Sequence, residues 1–290
     1  MTISHITVLG GDLRQAYAAE YLSLAGYHIT CFKTPCFPYN SSIQVTQSLS
    51  EALKGTPALL LPSPLTRDGI HLFEKTKDSQ LLSLEELIGQ LSDDSIIFCN
   101  GITPSFQKQL SVKHRLLYNL GNSPEFTAEN ARLTAEGLLS ELIRFTPFSL
   151  ENASILLLGY GHCGKAVSTL LSSFTHRIYV WECENSKQVQ AEQNGLLVLS
   201  PSEKNTILPH CHLIINTIPE HVLTKHDLEF LSGNCHIFDI ASAPFGFSSD
   251  ITTTYSLPYF RLPGLPGKFS PKTAGITIGT TIERMIHHGI

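Results

Sequence analysis

The chain has 290 residues, 42% hydrophobic and 16% charged, with a formal net charge of -5. That is enough apolar matter for two ordinary α/β cores and too much for extended disorder. No apolar run nears the ~20 residues that span a bilayer, and no basic block stands ready to neutralise a nucleic-acid backbone. The opening Met1-Thr2-Ile3-Ser4-His5 passes into a strand without a basic n-region or a cleavage site, so a cytoplasmic protein is expected. Its partners should be small molecules and other protein chains, in a homo-oligomer, with neither membrane nor nucleic acid.

The first strand is His5 to Leu9, followed by the turn Gly10-Gly11-Asp12 and a helix to about Ala25. A second strand runs from Tyr27 to Phe32. Further apolar runs fall at Ala58 to Leu61, Ser95 to Cys99 and Arg115 to Tyr118, with a helix-permitting segment from Leu84 to Leu91. Strands alternating with helices imply a parallel sheet covered on both faces. Between the halves, residues 131, 135, 138, 139 and 142 form the apolar stripe of a helix that connects them, ended by Pro147. The second half offers strands near 154–158, 177–181, 196–199, 213–217 and 235–240, and a short one near Tyr259 to Leu262. Pro271 opens a last helix to about His287, with Ile278, Ile282 and Ile286 on one face.

The expected fold class is α/β: two Rossmann-like doubly wound parallel-sheet domains with an interdomain cleft. The domains are read as 1–127, a flavodoxin/Rossmann-like substrate domain onto which a C-terminal helix of about 272–290 packs back; 128–148, a connecting helix; and 149–271, an NAD(P)-binding domain.

The signal for the cofactor is the strand Ser154 to Leu158 opening into Gly159-Tyr160-Gly161-His162-Cys163-Gly164 and a helical pattern. The first glycine permits a tight turn, the second lets backbone approach a pyrophosphate, and the third lets helix sit close on strand. A second β-rich run, Arg177 to Trp181, ends at Glu182, where a carboxylate would meet the adenine ribose hydroxyls. Gly159, Tyr160, Gly161, His162, Cys163, Gly164 and Glu182 are therefore assigned to a nicotinamide dinucleotide. Thr217, Ile218 and Pro219, after a later strand, should border the nicotinamide ring. Gly10-Gly11-Asp12-Leu13-Arg14-Gln15 lacks the later glycine, and Asp12 would repel a phosphate. It reads as a helix N-cap, and the first domain should not hold the dinucleotide.

No metal is expected. The seven cysteines (31, 36, 99, 163, 183, 211 and 235) contain no C-x-x-C pair and read as reduced thiols. In His210-Cys211-His212, neighbours on an extended segment point to opposite faces. His287-His288 reads as a solvated helix end.

Three late turns stand where an open α/β sheet gathers ligands: Asn216 to Pro219, Asp239 to Gly246, and Leu262 to Lys268 leading into Pro271 to Gly275. Lys268, Lys272 and a helix N-terminus in the last suit a carboxylate-bearing substrate.

These residues carry a resemblance. Val8 to Gln15, Leu61-Pro62-Ser63, Phe98 to Ile102, the unit at 155–164, Ile215 to Pro219, and above all Pro263-Gly264-Leu265-Pro266-Gly267 with Pro271 to Gly275 look like the dipicolinate synthase A subunits. The likeness implies a sporulation enzyme of the mother-cell cytoplasm, on a branch of the lysine pathway. It would oxidise dihydrodipicolinate, formed from 4-hydroxytetrahydrodipicolinate, to dipicolinate with NAD or NADP, and its partner would be the dipicolinate synthase B subunit. Glu182-Cys183 stands where the family commonly has Ala-Arg, which favours NAD; Lys187 is the nearby cation arguing otherwise. Arg14, Ser63, Asn100, Lys268, Lys272 and Thr273 are the expected substrate contacts, and Arg14, Asp239, Ser242 and Lys272 the expected catalytic set. The proton acceptor stays open among Asp239, Ser242 and His162.

Two other functions compete. A 2-hydroxyacid dehydrogenase would, by family resemblance, carry an arginine after Ile240 and a histidine before the last helix, and this chain has neither. A non-catalytic, cofactor-binding regulatory subunit would keep the same glycine turn.

Overall fold

The computed structural model describes residues 3–35, 42–76, 81–102, 104–110, 115–200, 203–247 and 257–288. Cys36 lies outside them. The chain divides into two compact units, Met1–Glu129 with Ser270–Ile290, and Asn130–Phe269.

In unit one, β1 (His5–Leu9) leads through α1 (Leu13–Leu24) to β2 (His28–Phe32), β3 (Ile43–Thr46), α2 (Leu49–Leu53), β4 (Ala58–Leu60), α3 (Leu84–Gln90), β5 (Ile96–Cys99), α4 (Pro104–Leu110) and β6 (Leu116–Asn119). The helix α5 (Pro124–Phe145) crosses into unit two. There follow β7 (Ile155–Leu158), α6 (His162–Leu171), β8 (Ile178–Trp181), α7 (Asn185–Gln193), β9 (Leu197–Leu199), α8 (Lys204–Ile207), β10 (Leu213–Asn216), α9 (Lys225–Glu229), β11 (His236–Asp239), β12 (Tyr259–Arg261) and α10 (Leu265–Phe269). The last helix, α11 (Pro271–His287), belongs to unit one.

Each unit is a six-stranded parallel sheet, ordered β3-β2-β1-β4-β5-β6 and β12-β11-β10-β7-β8-β9. Counted within its own unit, each has the order 3-2-1-4-5-6, in which the chain reverses direction across the sheet beside the first strand and opens a crevice there. The central strands β7, β10 and β11 are buried along their whole length, as a parallel sheet covered on both faces demands. The two-residue period sorts them: Ile155, Leu157, Ile215 and Phe238 enter one core with Leu138, Leu142 and Val167. Leu156, Leu158, Ile214 and Ile237 enter the other with Leu208, Leu223 and Phe247. Unit one divides likewise, Val8 and Leu60 on one face and Leu9 and Leu59 on the other.

α11 lies on α1 through small residues. A β-carbon at Gly275 would stand 2.5 Å from the Arg14 carbonyl oxygen, and one at Gly279 2.5 Å from the Tyr21 ring. The contacts advance together along both helices, so α1 and α11 run in the same direction. Ile278 and Ile282 complete the core beneath, and the Tyr21 hydroxyl donates to Glu283 at 2.7 Å.

The helices α2, α4, α7, α8 and α9 are absent from the sequence reading, and three further elements depart from it. β3 is absent from it: its edge strand Ile43-Gln44-Val45-Thr46 is largely exposed, so no apolar run marks it. α5 starts at Pro124 rather than 128, because proline suits a first helical turn and the Ser123 hydroxyl accepts the Phe126 N–H. Leu265 to Phe269, read as loop, is a short helix whose Leu265 is buried against α5, where Gly137 leaves room for it.

Candidate functional site

The turn between β7 and α6 is tight where two of its glycines need it and open at the third. Gly159 has φ +91°, and a β-carbon there would come within 2.6 Å of the Thr217 hydroxyl. At Gly164 it would come within 2.2 Å of the Gly159 carbonyl oxygen, a backbone atom that cannot swing away. At Gly161 it would meet nothing within 4 Å. Gly161 is also the N-cap of α6 and offers no side-chain acceptor to the free N–H groups of the first turn. An uncapped, amphipathic ten-residue helix whose start faces open space can receive an anion there.

The other residues of the turn have separate tasks. His162 is exposed and Cys163 half-buried, its thiol pushed up by burial. The Tyr160 ring is buried in the core and its hydroxyl accepts from Asn194, so only its backbone belongs to the turn. The Tyr160 N–H donates to the Glu182 carboxylate at 2.9 Å, and Cys183 and Glu184 N–H groups donate to it at 2.7 and 3.0 Å. Burial acts to raise the Glu182 carboxyl, yet the three backbone donors and Lys187 outweigh it and hold the group below the usual carboxylate range. Oε1 takes two of the three bonds and Oε2 one, leaving Oε2 able to accept from a further hydroxyl. Lys187 is paired with Glu184 at 2.6 Å.

At the ends of β10 and β11 a buried clamp forms. Asp239 is fully buried and both its oxygens are filled: Oδ1 by Asn216 Nδ2 at 2.9 Å and the Ala241 N–H at 3.2 Å, Oδ2 by the Gly246 N–H at 3.0 Å and the Tyr259 hydroxyl at 2.9 Å. Burial, reinforced by Asp239, pushes the Tyr259 hydroxyl up to about 12. Four donors suit a structural anchor for the turn and leave no lone pair facing a substrate proton. Asn216 also ties its own side chain to Ile218, and the Thr217 hydroxyl donates to the Leu158 carbonyl at 2.9 Å, which sets Thr217 and Ile218 against Gly159. Ser242 and Pro219 are exposed. Lys268 is half exposed and pairs with Glu141, which is 1% exposed and whose Oε2 has no donor among the described residues.

In unit one the structure brings Arg14, Ser63 and Asn100 together. Arg14 Nη2 donates to the Ser63 carbonyl, and Asn100 Nδ2 to the Ser63 hydroxyl at 3.3 Å. Asp12 and Gln15 form a capping box at the start of α1. The glycine turn before it is covered by its own chain: the Gly11 N–H donates to the Phe73 carbonyl at 2.7 Å, and the Lys75 N–H to the Gly11 carbonyl at 2.8 Å. Glu74 lies alongside, in a buried pair with Lys33 at 3.5 Å. Lys272 is exposed on the first turn of α11. Thr273 lines a groove of about 470 Å³ with Glu125, Glu129, Thr277 and Arg284.

Sequence reasoning named the turn at Asn216 but missed its bond to Asp239, and it missed Glu141, Tyr259 and the cover over Gly11. Only Glu141 left a mark in the sequence, as a charge on the buried stripe beside Leu138 and Leu142. Among the described residues no three His, Cys, Asp or Glu side chains gather as metal ligands, and no helix is long and apolar enough to cross a membrane.

Residues 5–120 match the family model of the N-terminal domain of the dipicolinate synthase A subunit. The whole chain is 22% identical to the dipicolinate synthase A subunit of Bacillus subtilis (strain 168) over 284 residues, 97% of this chain and 95% of that protein. The crystal structure of the dipicolinate synthase A subunit from Bacillus halodurans superposes with a TM-score of 0.86 at 22% identity, over 98% of both chains. The transhydrogenase of Sinorhizobium meliloti shares the fold at a TM-score of 0.70 and 10% identity, over 98% of this chain and 93% of that one.

Proposed function

For this relative of the dipicolinate synthase A subunit, we propose an NAD-dependent dehydrogenase that converts dihydrodipicolinate, derived from 4-hydroxytetrahydrodipicolinate, into pyridine-2,6-dicarboxylate. The reaction balances as dihydropyridine dicarboxylate plus oxidised cofactor giving pyridine dicarboxylate, reduced cofactor and a proton. The observation that carries the reading is the open, uncapped start of α6 at Gly161, between two glycines that no other residue could replace without a clash. A bound nicotinamide would supply the hydride acceptor for this oxidation.

The residues of the chain hold and orient. The first N–H groups of α6 receive the pyrophosphate. Glu182 accepts a ribose hydroxyl through Oε2 and repels a 2′-phosphate. Lys187 acts on Glu182 and pairs with Glu184, so one cation faces two carboxylates and the local charge stays negative, which supports NAD over NADP. Thr217 and Ile218, seated against Gly159, border the nicotinamide. Because aromatisation drives the oxidation, the remaining task is to neutralise and align two carboxylates. Arg14, fixed beside Ser63 and Asn100, and Lys272 at the start of α11 serve that purpose in unit one, whereas Thr273 lines the groove that holds Glu125 and Glu129 and is left out of it. Lys268 keeps ammonium donors beyond the one given to Glu141. Asp239 acts as the anchor of its turn, and exposed Ser242 is the better placed group to pass a proton to water.

The relative's designation as one lettered subunit of a synthase supports a second, different chain as partner. By the same reading the protein works in the cytoplasm of a sporulating mother cell.

The test is an initial-rate comparison. The cyclic substrate, made in situ from pyruvate and aspartate semialdehyde by dihydrodipicolinate synthase, is mixed with the protein and either NAD or NADP. Faster reduction of NAD is expected; reduction of neither, with cofactor demonstrably bound, would favour the regulatory alternative.

A further inference from the structure

Asp12 does more than cap a helix. Capping asks for one acceptor oxygen, which Ser, Thr or Asn supplies as well. Asp12 instead also binds the Arg14 guanidinium side-on, Nε to Oδ1 at 2.9 Å and Nη2 to Oδ2 at 3.1 Å, and both residues are buried, 4% and 6% exposed. A buried ion pair gains little stability over apolar residues of the same shape, so helix capping gives no reason for it.

The geometry has a second part. Nη2 donates in addition to the Ser63 carbonyl, and Ser63 is held by Asn100. Three bonds from two sides fix the guanidinium plane. The remaining nitrogen, Nη1, carries two N–H donors and has no partner among the described residues, although the side chain is more than nine-tenths buried. The pair sits beyond the carboxyl end of β1, where open α/β sheets collect ligands. On the backbone side, Gly275 of α11 packs directly on the Arg14 carbonyl.

We propose that Asp12 is a positioning residue: with the Ser63 carbonyl it locks Arg14 so that the Nη1 edge meets a carboxylate oxygen of the substrate. This rests on the function proposed above. Preorganisation of this kind removes the rotamer entropy that a free arginine would lose on binding.

Pyridine-2,6-dicarboxylate is the probe. Calorimetry on the full chain with bound NAD would compare wild type with Asp12→Asn, which keeps the cap and a single acceptor oxygen but loses the charged two-oxygen grip, and with Arg14→Lys. Both variants should bind the dicarboxylate roughly tenfold or more weakly while NAD affinity stays as in wild type. Asp12→Asn binding as tightly as wild type would overturn the positioning role and leave the proposed function standing. Wild type binding no dicarboxylate would overturn both.

Because Asp12→Asn can unfold, a second measurement uses wild type alone, labelled with ¹⁵N-arginine. The Arg14 side-chain signals, identified by their absence in Arg14→Lys, should show hindered rotation before ligand is added, and the Nη1 signals should shift on addition. A freely rotating guanidinium, or no shift, would overturn the proposal. A cap alone would produce neither signature.

Discussion

Gly161→Asp puts a carboxylate at the one glycine of the β7–α6 turn whose β-carbon has nothing within 4 Å. The fold has room for it, so thermal unfolding should stay close to that of wild type. A bound pyrophosphate would have no such room. Two like charges about 4 Å apart repel by about 1 kcal/mol in bulk water and about 4 kcal/mol at the effective dielectric of a protein surface. Since Gly161 is half-buried, a value between these is expected, and each 1.4 kcal/mol is about tenfold in affinity. NAD should therefore bind about tenfold to several-hundredfold more weakly. Gly164→Ala makes the contrast. Its β-carbon would stand 2.2 Å from the Gly159 carbonyl oxygen, and relieving that overlap by shifting α6 should cost about 1–3 kcal/mol of stability. Calorimetric titration with NAD beside a melting curve reads both effects. Wild-type affinity in Gly161→Asp, with the melt unchanged, would refute the assignment of the phosphate site.

Replacing Glu182-Cys183 with Ala-Arg should move the NAD/NADP rate ratio towards NADP; an unchanged ratio would remove Glu182 from the ribose site. Because Glu182 is held below its ordinary value near 4.5, its bonds to backbone stabilise unit two above about pH 4.5 and are lost as pH falls through the lower folded value. Glu182→Gln should thus flatten part of the acid limb of a stability–pH curve, and an identical limb would contradict the depressed value. Lys268→Met leaves the Glu141 charge buried and should cost about 2–3 kcal/mol in urea unfolding, the lower end for a broken buried pair because Lys268 is half exposed. The further change Glu141→Leu should restore most of it, and no recovery would mean that Lys268 contributes through other contacts. Burial pushes the thiols of Cys99, Cys211 and Cys235 up to about 12, whereas Cys183 is exposed. Brief alkylation at neutral pH followed by peptide mapping should mark Cys183 and spare those three; early labelling of Cys211 or Cys235 would mean that unit two opens locally.

Much of the fold could be read from the chain because parallel strands buried on both faces appear as unbroken apolar runs, as at Ile155–Leu158 and Leu213–Asn216. β3 could not, since an exposed edge strand owes its place to pairing with β2 rather than to its own residues. At the site, glycines and strand ends were legible, because backbone conformation and close approach restrict the residue locally. Partners from distant segments were not. That Asp239 is filled by Asn216, Gly246 and Tyr259, or that Phe73 to Lys75 cover the first glycine turn, depends on which segments the sheet order brings side by side. The spacing of Asp12 and Arg14 allowed a cap; that the same carboxylate grips the guanidinium became visible only with the side chains in place.

The proposed chemistry joins hydride removal to aromatisation of a cyclic dicarboxylate on this chain. It is measured most directly by following reduced cofactor by absorbance and dipicolinate by chromatography in one reaction, with the cyclic substrate made in situ, in the presence and absence of the B subunit. Equimolar reduced NAD and dipicolinate are predicted, with both slowed about tenfold or more by Gly161→Asp at limiting NAD. Dipicolinate formed without matching cofactor reduction, or at full rate with Gly161→Asp, would rule this chemistry out.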